Sequence, residues 1–235
     1  MLEGRRELEH ALEAGFVLDT VFVCPEILSL TNETPLLKAF LKDKPDVIEV
    51  SNSVYSKIAY REGTEGIIAE VVTPERTLAS LALPENPLVM VLESVEKPGN
   101  LGAVLRSADA AGADAVIICD PLTDLFNPNL IRASIGAIFT VPVVTATSAE
   151  AIKYLKDRKI QILTAQLQDS SLYYETDMRG GTALVMGTEA TGLTPVWRMA
   201  ADAHIRIPML GRLDSLNVSV SAAILLYEAV RQRQK

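Results

Sequence analysis

Residues 88–119 read LVMVLESVEKPGNLGAVLRSADAAGADAVIIC. An apolar run, LVMVLES, gives way to a polar loop, then to a helical pattern in NLGAVLRSADAAGA, and then to a second apolar run, AVIICD. Short, continuous Val/Ile/Leu runs separated by amphipathic helices mark a parallel sheet covered on both faces. Towards the carboxyl end the alternation continues. FTVPVVT, KIQILTAQ, TALVMGT and AHIRIPM read as strands, and NPNLIRASIGA, AEAIKYLKDR and SVSAAILLYEAVRQR as helices. Residues 87–235 are therefore expected to form one α/β domain with a parallel sheet.

In the other direction, TPERTLASLALPEN (73–86) carries two prolines and no clear periodicity, and is the expected linker. Before it, RRELEHALEA places Leu8, Ala11 and Leu12 at helical spacing, with Gly15 as the stop. VLDTVFVC, VIEV and GIIAEVV then read as strands, and TPLLKAFLKD and VYSKIAY as helices. Residues 1–80 are expected to be a small α/β sandwich.

The chain has 235 residues, 49% of them apolar and 22% charged, the usage of an ordinary folded protein. No run of 18 apolar residues occurs, and the charged opening MLEGRRELEH lacks the apolar stretch of a signal peptide. A cytoplasmic protein with no membrane segment is expected. Cys24 and Cys119 lie in apolar surroundings with no metal-ligand spacing, so they read as buried thiols and no metal is expected. The net charge is −8, and the first 80 residues hold 8 Lys and Arg against 14 Asp and Glu. Binding to nucleic acid must then rest on a local basic patch, not on bulk charge. Arg5, Arg6, Arg132 and Arg212 are candidates, and each equally suits a surface ion pair.

Ligands of open α/β sheets bind beyond the carboxyl ends of strands, so polar loops there carry the functional reading. One loop holds Gly99, Asn100, Gly102 and Arg106; its G-x-x-G spacing argues against a dinucleotide fingerprint. Asn100 suits a helix cap, whereas Arg106 is a lone cation among small and apolar neighbours and needs a partner. A second loop follows Gly187 and contains Glu189 and Gly192, with no base nearby in sequence to pair with Glu189. In the third, Ile207, Pro208 and Met209 are expected to close a strand, and Ser215, Leu216 and Asn217 to start a helix with Ser215 as its cap. His10 falls in the front helix and His204 ahead of a strand, and neither suits catalysis.

Together, GNLGAVLR (99–106), VMGTEATGL (185–193) and IPM-x5-SLNVSV (207–220) resemble, in order and spacing, the three motifs of the SpoU (TrmH-like) branch of SPOUT methyltransferases. The resemblance implies an α/β sheet with a carboxyl-terminal trefoil knot, an exception to the rule that folds are unknotted. It further implies methyl transfer from S-adenosylmethionine to a ribose 2′-hydroxyl of RNA. The donor would be contacted around Thr164, Ala165, Gly187, Ile207, Met209 and Leu216. The reaction would be carried by Arg106, supported by Asn100, Glu189, Ser215 and Asn217. A two-fold homodimer is implied as well.

The opening EGRRELxxALxxG (3–15) resembles the ribosomal-protein-like RNA-binding domain of rRNA 2′-O-methyltransferases. rRNA is thus expected ahead of tRNA, whose resembling enzymes lack this front domain. A non-catalytic RNA-binding or assembly protein that retains the fold is the alternative of a different class. Only two residues precede Glu3, which leaves almost no preceding strand, so truncation at the amino end is also an expectation.

Overall fold

The computed structural model describes residues 1–28, 39–40, 42–60, 65–188, 191–212 and 214–234. These divide into two compact units, Met1–Glu75 and Arg76–Lys235. The expected helix at 34–43 falls largely outside the described residues.

The first unit is a four-stranded sheet in the order β1-β4-β2-β3, made of β1 (Leu2–Glu3), β2 (Val17–Val23), β3 (Asp46–Glu49) and β4 (Ile67–Val72). β2 runs parallel to β3 and antiparallel to β4. The short β1 pairs antiparallel with β4, Leu2 facing Ala69, so a strand does precede the first helix. Helix α1 (Arg5–Glu13) buries Leu8 and Ala11, as its spacing requires, and leaves Leu12 half-buried. Gly15 follows it at φ +84°, a left-handed conformation that favours glycine. Helix α2 (Asn52–Ile58) inserts Tyr55 into a small core with Cys24 and Ile68.

The second unit is a parallel sheet of seven strands. Its members are β5 (Leu88–Glu93), β6 (Ala115–Cys119), β7 (Val143–Ala146), β8 (Gln161–Ala165), β9 (Ser171–Leu172), β10 (Thr182–Met186) and β11 (Ala203–Arg206). The order is β7-β6-β5-β10-β8-β11-β9, with β10 inserted between β5 and β8. Every residue of β5, β6 and β10 is buried, as expected of strands covered on both faces.

Helix α3 (Pro98–Ala110) packs against both α4 (Pro128–Ser134) and α8 (Val218–Arg233), and α6 (Ser148–Asp157) against α7 (Pro195–Ala200). Val89, Val91, Ile117 and Val185 share one core cluster with Leu155 of α6 and Trp197 of α7. Gly102 lets α3 and α4 close on each other, since a Cβ there would lie 2.5 Å from Ala133 Cβ and 2.8 Å from the Leu130 carbonyl oxygen.

Four sequence expectations are corrected. Phe139 and Thr140 do not open a strand. They lie in a short helix, α5 (Ala137–Thr140), because Ile135 (φ 53°) and Gly136 (φ 87°) turn the chain out of α4 and restart it, and β7 begins only at Val143. β11 ends at Arg206, so Ile207 to Met209 form loop, not strand. The last helix starts at Val218 with Asn217 as its cap, not Ser215. Finally, part of segment 73–86 is no free linker. Arg76 donates to the Ile138 and Phe139 carbonyls at 3.0 and 3.3 Å, and Leu78, Leu81 and Leu83 pack on the core of the second unit.

Candidate active site

At the carboxyl ends of β8, β10 and β11, a cleft of about 420 Å³ opens in the second unit. Its size lies in the range of small-molecule sites, and its position is where open α/β sheets bind ligands. Ala165, Gly187, Ile207, Met209 and Leu216 line it, and so does Ser215. Thr164 does not. It is fully buried one residue back on β8, its Oγ1 2.6 Å from His204 Nδ1 on the neighbouring strand. His204 thus sits inside β11, not ahead of a strand, while His10 is in α1, 3.8 Å from Glu13.

One wall of the cleft is the turn after β10. Thr188 and Gly192 form an isolated bridge, and a Cβ on Gly187 would lie 2.3 Å from the Gly192 carbonyl oxygen and 2.6 Å from the Leu193 nitrogen. Only glycine allows the chain to double back this tightly. Glu189 lies outside the described residues.

Asn217 joins two of the motifs. Its Oδ1 accepts the Ser219 N–H at 2.9 Å, capping α8, while its Nδ2 donates to Asn100 Oδ1 at 3.2 Å. Asn100 stands in the first turn of α3, within the helix that Lys97 caps, and not at its cap. Ser215 Oγ is 3.4 Å from Asp214 Oδ1.

Arg106 projects from the exposed side of α3, opposite the side that buries Leu101, Val104, Leu105 and Ala108. It is not among the residues lining the cleft, and no described side chain pairs with it. The partner its apolar neighbourhood called for is absent because the guanidinium faces solvent. Of the candidate RNA contacts, Arg5 bonds Glu9 through Nε at 3.2 Å and Glu65 through its backbone N–H. Arg6 and Arg132 are exposed. Arg212 is exposed too, and edges a neighbouring cleft of about 490 Å³ that shares Leu167, Arg206, Ile207, Met209 and Asp214 with the first.

Sequence reasoning missed the charged and amide groups of the cleft, namely Gln166, Gln168, Arg198, Arg206 and Asp214. The strand-end rule that singled out the three loops applies equally to Gln166 and Gln168, which follow β8. Gln166 donates through Nε2 to the Gln168 carbonyl at 2.9 Å, and its Oε1 is buried without a described partner. This donor set suits S-adenosylmethionine. Arg198 and Arg206 can meet its carboxylate, Asp214 its cationic groups, and the orphaned Gln166 Oε1 a hydrogen-bond donor, while Met186, Ile207, Met209 and Leu216 supply apolar walls for an adenine. Among the described residues no cluster of His, Cys, Asp and Glu could hold a metal ion, and no helix is long and apolar enough to cross a membrane.

Residues 87–227 match the model of the SpoU rRNA Methylase family, and residues 1–69 that of the MRM3-like substrate binding domain. The chain is 41% identical, over 177 residues, to the 23S rRNA (guanosine-2′-O-)-methyltransferase RlmB of Bordetella pertussis, covering 72% of this chain and 71% of that protein. It is 30% identical to the 23S rRNA (guanosine(2553)-2′-O)-methyltransferase RlmP of Bacillus subtilis across 97% of this chain and 86% of the relative. The crystal structure of an AdoMet-bound rRNA methyltransferase from Sinorhizobium meliloti superposes with a TM-score of 0.88 at 29% identity, covering 100% of this chain and 87% of that one.

Proposed function

The chain belongs to the SpoU rRNA methylase family, and from that premise we propose how its residues methylate a ribose 2′-hydroxyl of ribosomal RNA. It is an RNA ribose 2′-O-methyltransferase, and S-adenosylmethionine is its methyl donor. The observation that carries the reading is the cleft itself, whose walls come from the Gly187 and Met209–Leu216 motifs and whose edge is tied to the first motif by the Asn217–Asn100 bond.

When bound, S-adenosylmethionine supplies a methyl group on a sulfonium that is already a good leaving group. The protein's task is to align the ribose oxygen and relieve it of its proton. Arg106 binds the phosphate beside the target ribose and stabilises the negative charge developing on the oxygen. A guanidinium stays protonated and does not itself act as the base, so the hydroxyl proton passes to solvent water as the oxygen takes the methyl group. Asn100 and Asn217, already bonded to each other, hold the ribose in line together with Ser215, and Glu189 takes the same role on its motif alone.

Arg106 lies outside the cleft of its own chain, and α8 exposes Val220 and Tyr227, seven residues apart on one side. A two-fold dimer through this face would cover the apolar stripe and bring Arg106 against a cleft of the partner. The carboxyl-terminal knot belongs to the same reading. The Met1–Glu75 unit is assigned to RNA capture, with Arg6 its exposed candidate contact, and Arg132 and Arg212 serve from the catalytic unit.

The test is transfer of radiolabelled methyl from S-adenosylmethionine to 23S rRNA and, in parallel, to bulk tRNA, followed by mapping of alkali-resistant linkages. Labelled rRNA with unlabelled tRNA is expected. Labelling of tRNA alone favours the tRNA-modifying alternative, and failure to bind the donor in isothermal titration favours an assembly protein that keeps the fold.

A further inference from the structure

Glu93 ends β5 and is only 3% exposed, yet it makes no ion pair among the described residues. Burying a carboxylate is costly unless its oxygens are bonded, so its partners show what it holds. Both oxygens go to one residue. Oε2 accepts the Thr194 backbone N–H at 2.8 Å, and Oε1 accepts the Thr194 hydroxyl at 2.6 Å. Ser148 Oγ lies 3.2 Å from Oε1; that hydroxyl is also 2.6 Å from Asp120 Oδ2 and receives the Trp197 indole N–H at 2.9 Å. Ser148 has one proton to share between the two carboxylates and the shorter contact is to Asp120, so the firm bonds of the Glu93 carboxylate are those from Thr194.

Thr194 is where that loop ends. The turn leaves β10 at Gly187, bridges itself at Thr188 and Gly192, and reaches α7 directly after Thr194. Gly187, Thr188, Thr191, Gly192 and Leu193 all line the cleft. One end of this wall is fixed by β10 and the other by Glu93, from the adjacent strand. An apolar side chain of similar volume would fill the same space without desolvating a charge, and buried ionic groups are commonly no better than such replacements for stability. What only the carboxylate supplies is a two-point grip on Thr194.

We propose that Glu93 is a positioning residue for the methyl donor: through Thr194 it sets the wall to which Gly187, Thr188, Thr191, Gly192 and Leu193 contribute, and so sets the affinity of the cleft for S-adenosylmethionine. The proposal rests on the reading of the cleft as the donor site. Glu93→Gln preserves volume but loses the charge and one acceptor. Thr194→Val loses only the hydroxyl, and Thr194→Ser keeps both bonds.

S-adenosylmethionine binding is measured by isothermal titration on the full chain, with KM for donor and for 23S rRNA and a thermal melt for each variant. Glu93→Gln should weaken donor binding roughly tenfold or more, as loss of a charge-assisted bond does, and raise KM for the donor in step while KM for the RNA stays unchanged. Thr194→Val should shift the same two quantities less, and Thr194→Ser should restore both. If Glu93→Gln does not fold, the Thr194 pair carries the test. Folded variants that bind the donor like the wild type overturn the positioning role, as does a lowered melting temperature accompanied by equal changes in both KM values. Wild-type protein that binds no donor overturns the donor-site reading itself, and the positioning role with it.

Discussion

Gly187→Ala offers the sharpest test of the cleft's construction. An added Cβ would stand 2.3 Å from the Gly192 carbonyl oxygen, 2.4 Å from its carbon and 2.6 Å from the Leu193 nitrogen. All three are backbone atoms, so no rotamer change relieves the clash, and about 1 Å of movement is needed to reach ordinary contact. The opposing strand of the turn is poorly placed to yield. Leu193 is buried in the core cluster with Trp197, and Thr194 is gripped by Glu93. Overpacking of this kind costs about 1–3 kcal/mol, which for a unit of this size lowers the melting temperature by roughly 2–12 °C. Since Gly192 and Leu193 line the cleft, the displacement also reshapes the donor site, and S-adenosylmethionine affinity should fall about tenfold or more. Scanning calorimetry and isothermal titration measure the two effects. A Gly187→Ala variant that melts within about 1 °C of wild type and binds the donor with unchanged affinity would refute the argument for the turn.

Gly99→Ala should behave oppositely: a Cβ there meets nothing within 4 Å inside a helix, so the fold should be unchanged or stabilised by about 0.5–1 kcal/mol, and a melt showing clear destabilisation would contradict this. Arg106→Lys should lower kcat by roughly two to four decades while leaving donor affinity intact, because the fork that grips the substrate phosphate is lost while the positive charge is kept. Near-normal turnover would remove Arg106 from any essential role. Arg233→Ala removes donors to the carbonyls of Met178, Asn86, Pro87 and Gly180, at 2.9, 2.9, 3.1 and 2.6 Å, from a guanidinium whose pKa burial pulls below its ordinary value. With several carbonyls left unbonded at once, a loss of about 2–4 kcal/mol is expected in denaturant melts, and less than about 0.5 kcal/mol would show that water replaces the guanidinium freely.

The parts of the fold that could be read directly were those where one physical signal dominates. LVMVL, AVIIC and ALVM are uniformly apolar because both faces of their strands are covered. Where two signals compete, the reading slipped. Phe139 and Thr140 favour strands by propensity, but the left-handed pair Ile135–Gly136 and the donation of Arg76 to the end of the short helix override that preference, and neither is visible in local pattern. Ser215 and Asn217 are equally good caps, so the choice depends on which of them has extended backbone next to Val218, a matter of how the preceding loop leaves Met209. The leucines at 78, 81 and 83 have no helical or strand period, because they pack from an irregular segment onto a core made elsewhere.

The site divides along the same line between what the chain's own packing requires and what it does not. Gly102 is needed by the approach of α3 to α4, Gly187 by the turn that forms the cleft wall, and Asn217 by the free N–H groups of α8. Each of these would be selected for folding even if no ligand existed, so their presence in a motif is weak evidence of contact with one. Gly99, Arg106 and Ser215 are different. Gly99 faces open space, Arg106 is an exposed cation without a described partner, and Ser215 lines the cleft with only a long bond to the adjacent Asp214. Nothing in the folded chain uses their particular chemistry, so substitution there should spare stability and alter turnover. In the first group stability and donor binding should fall together, as worked out for Gly187, which makes the ratio of the two losses a measure of whether a motif residue builds the site or touches what enters it.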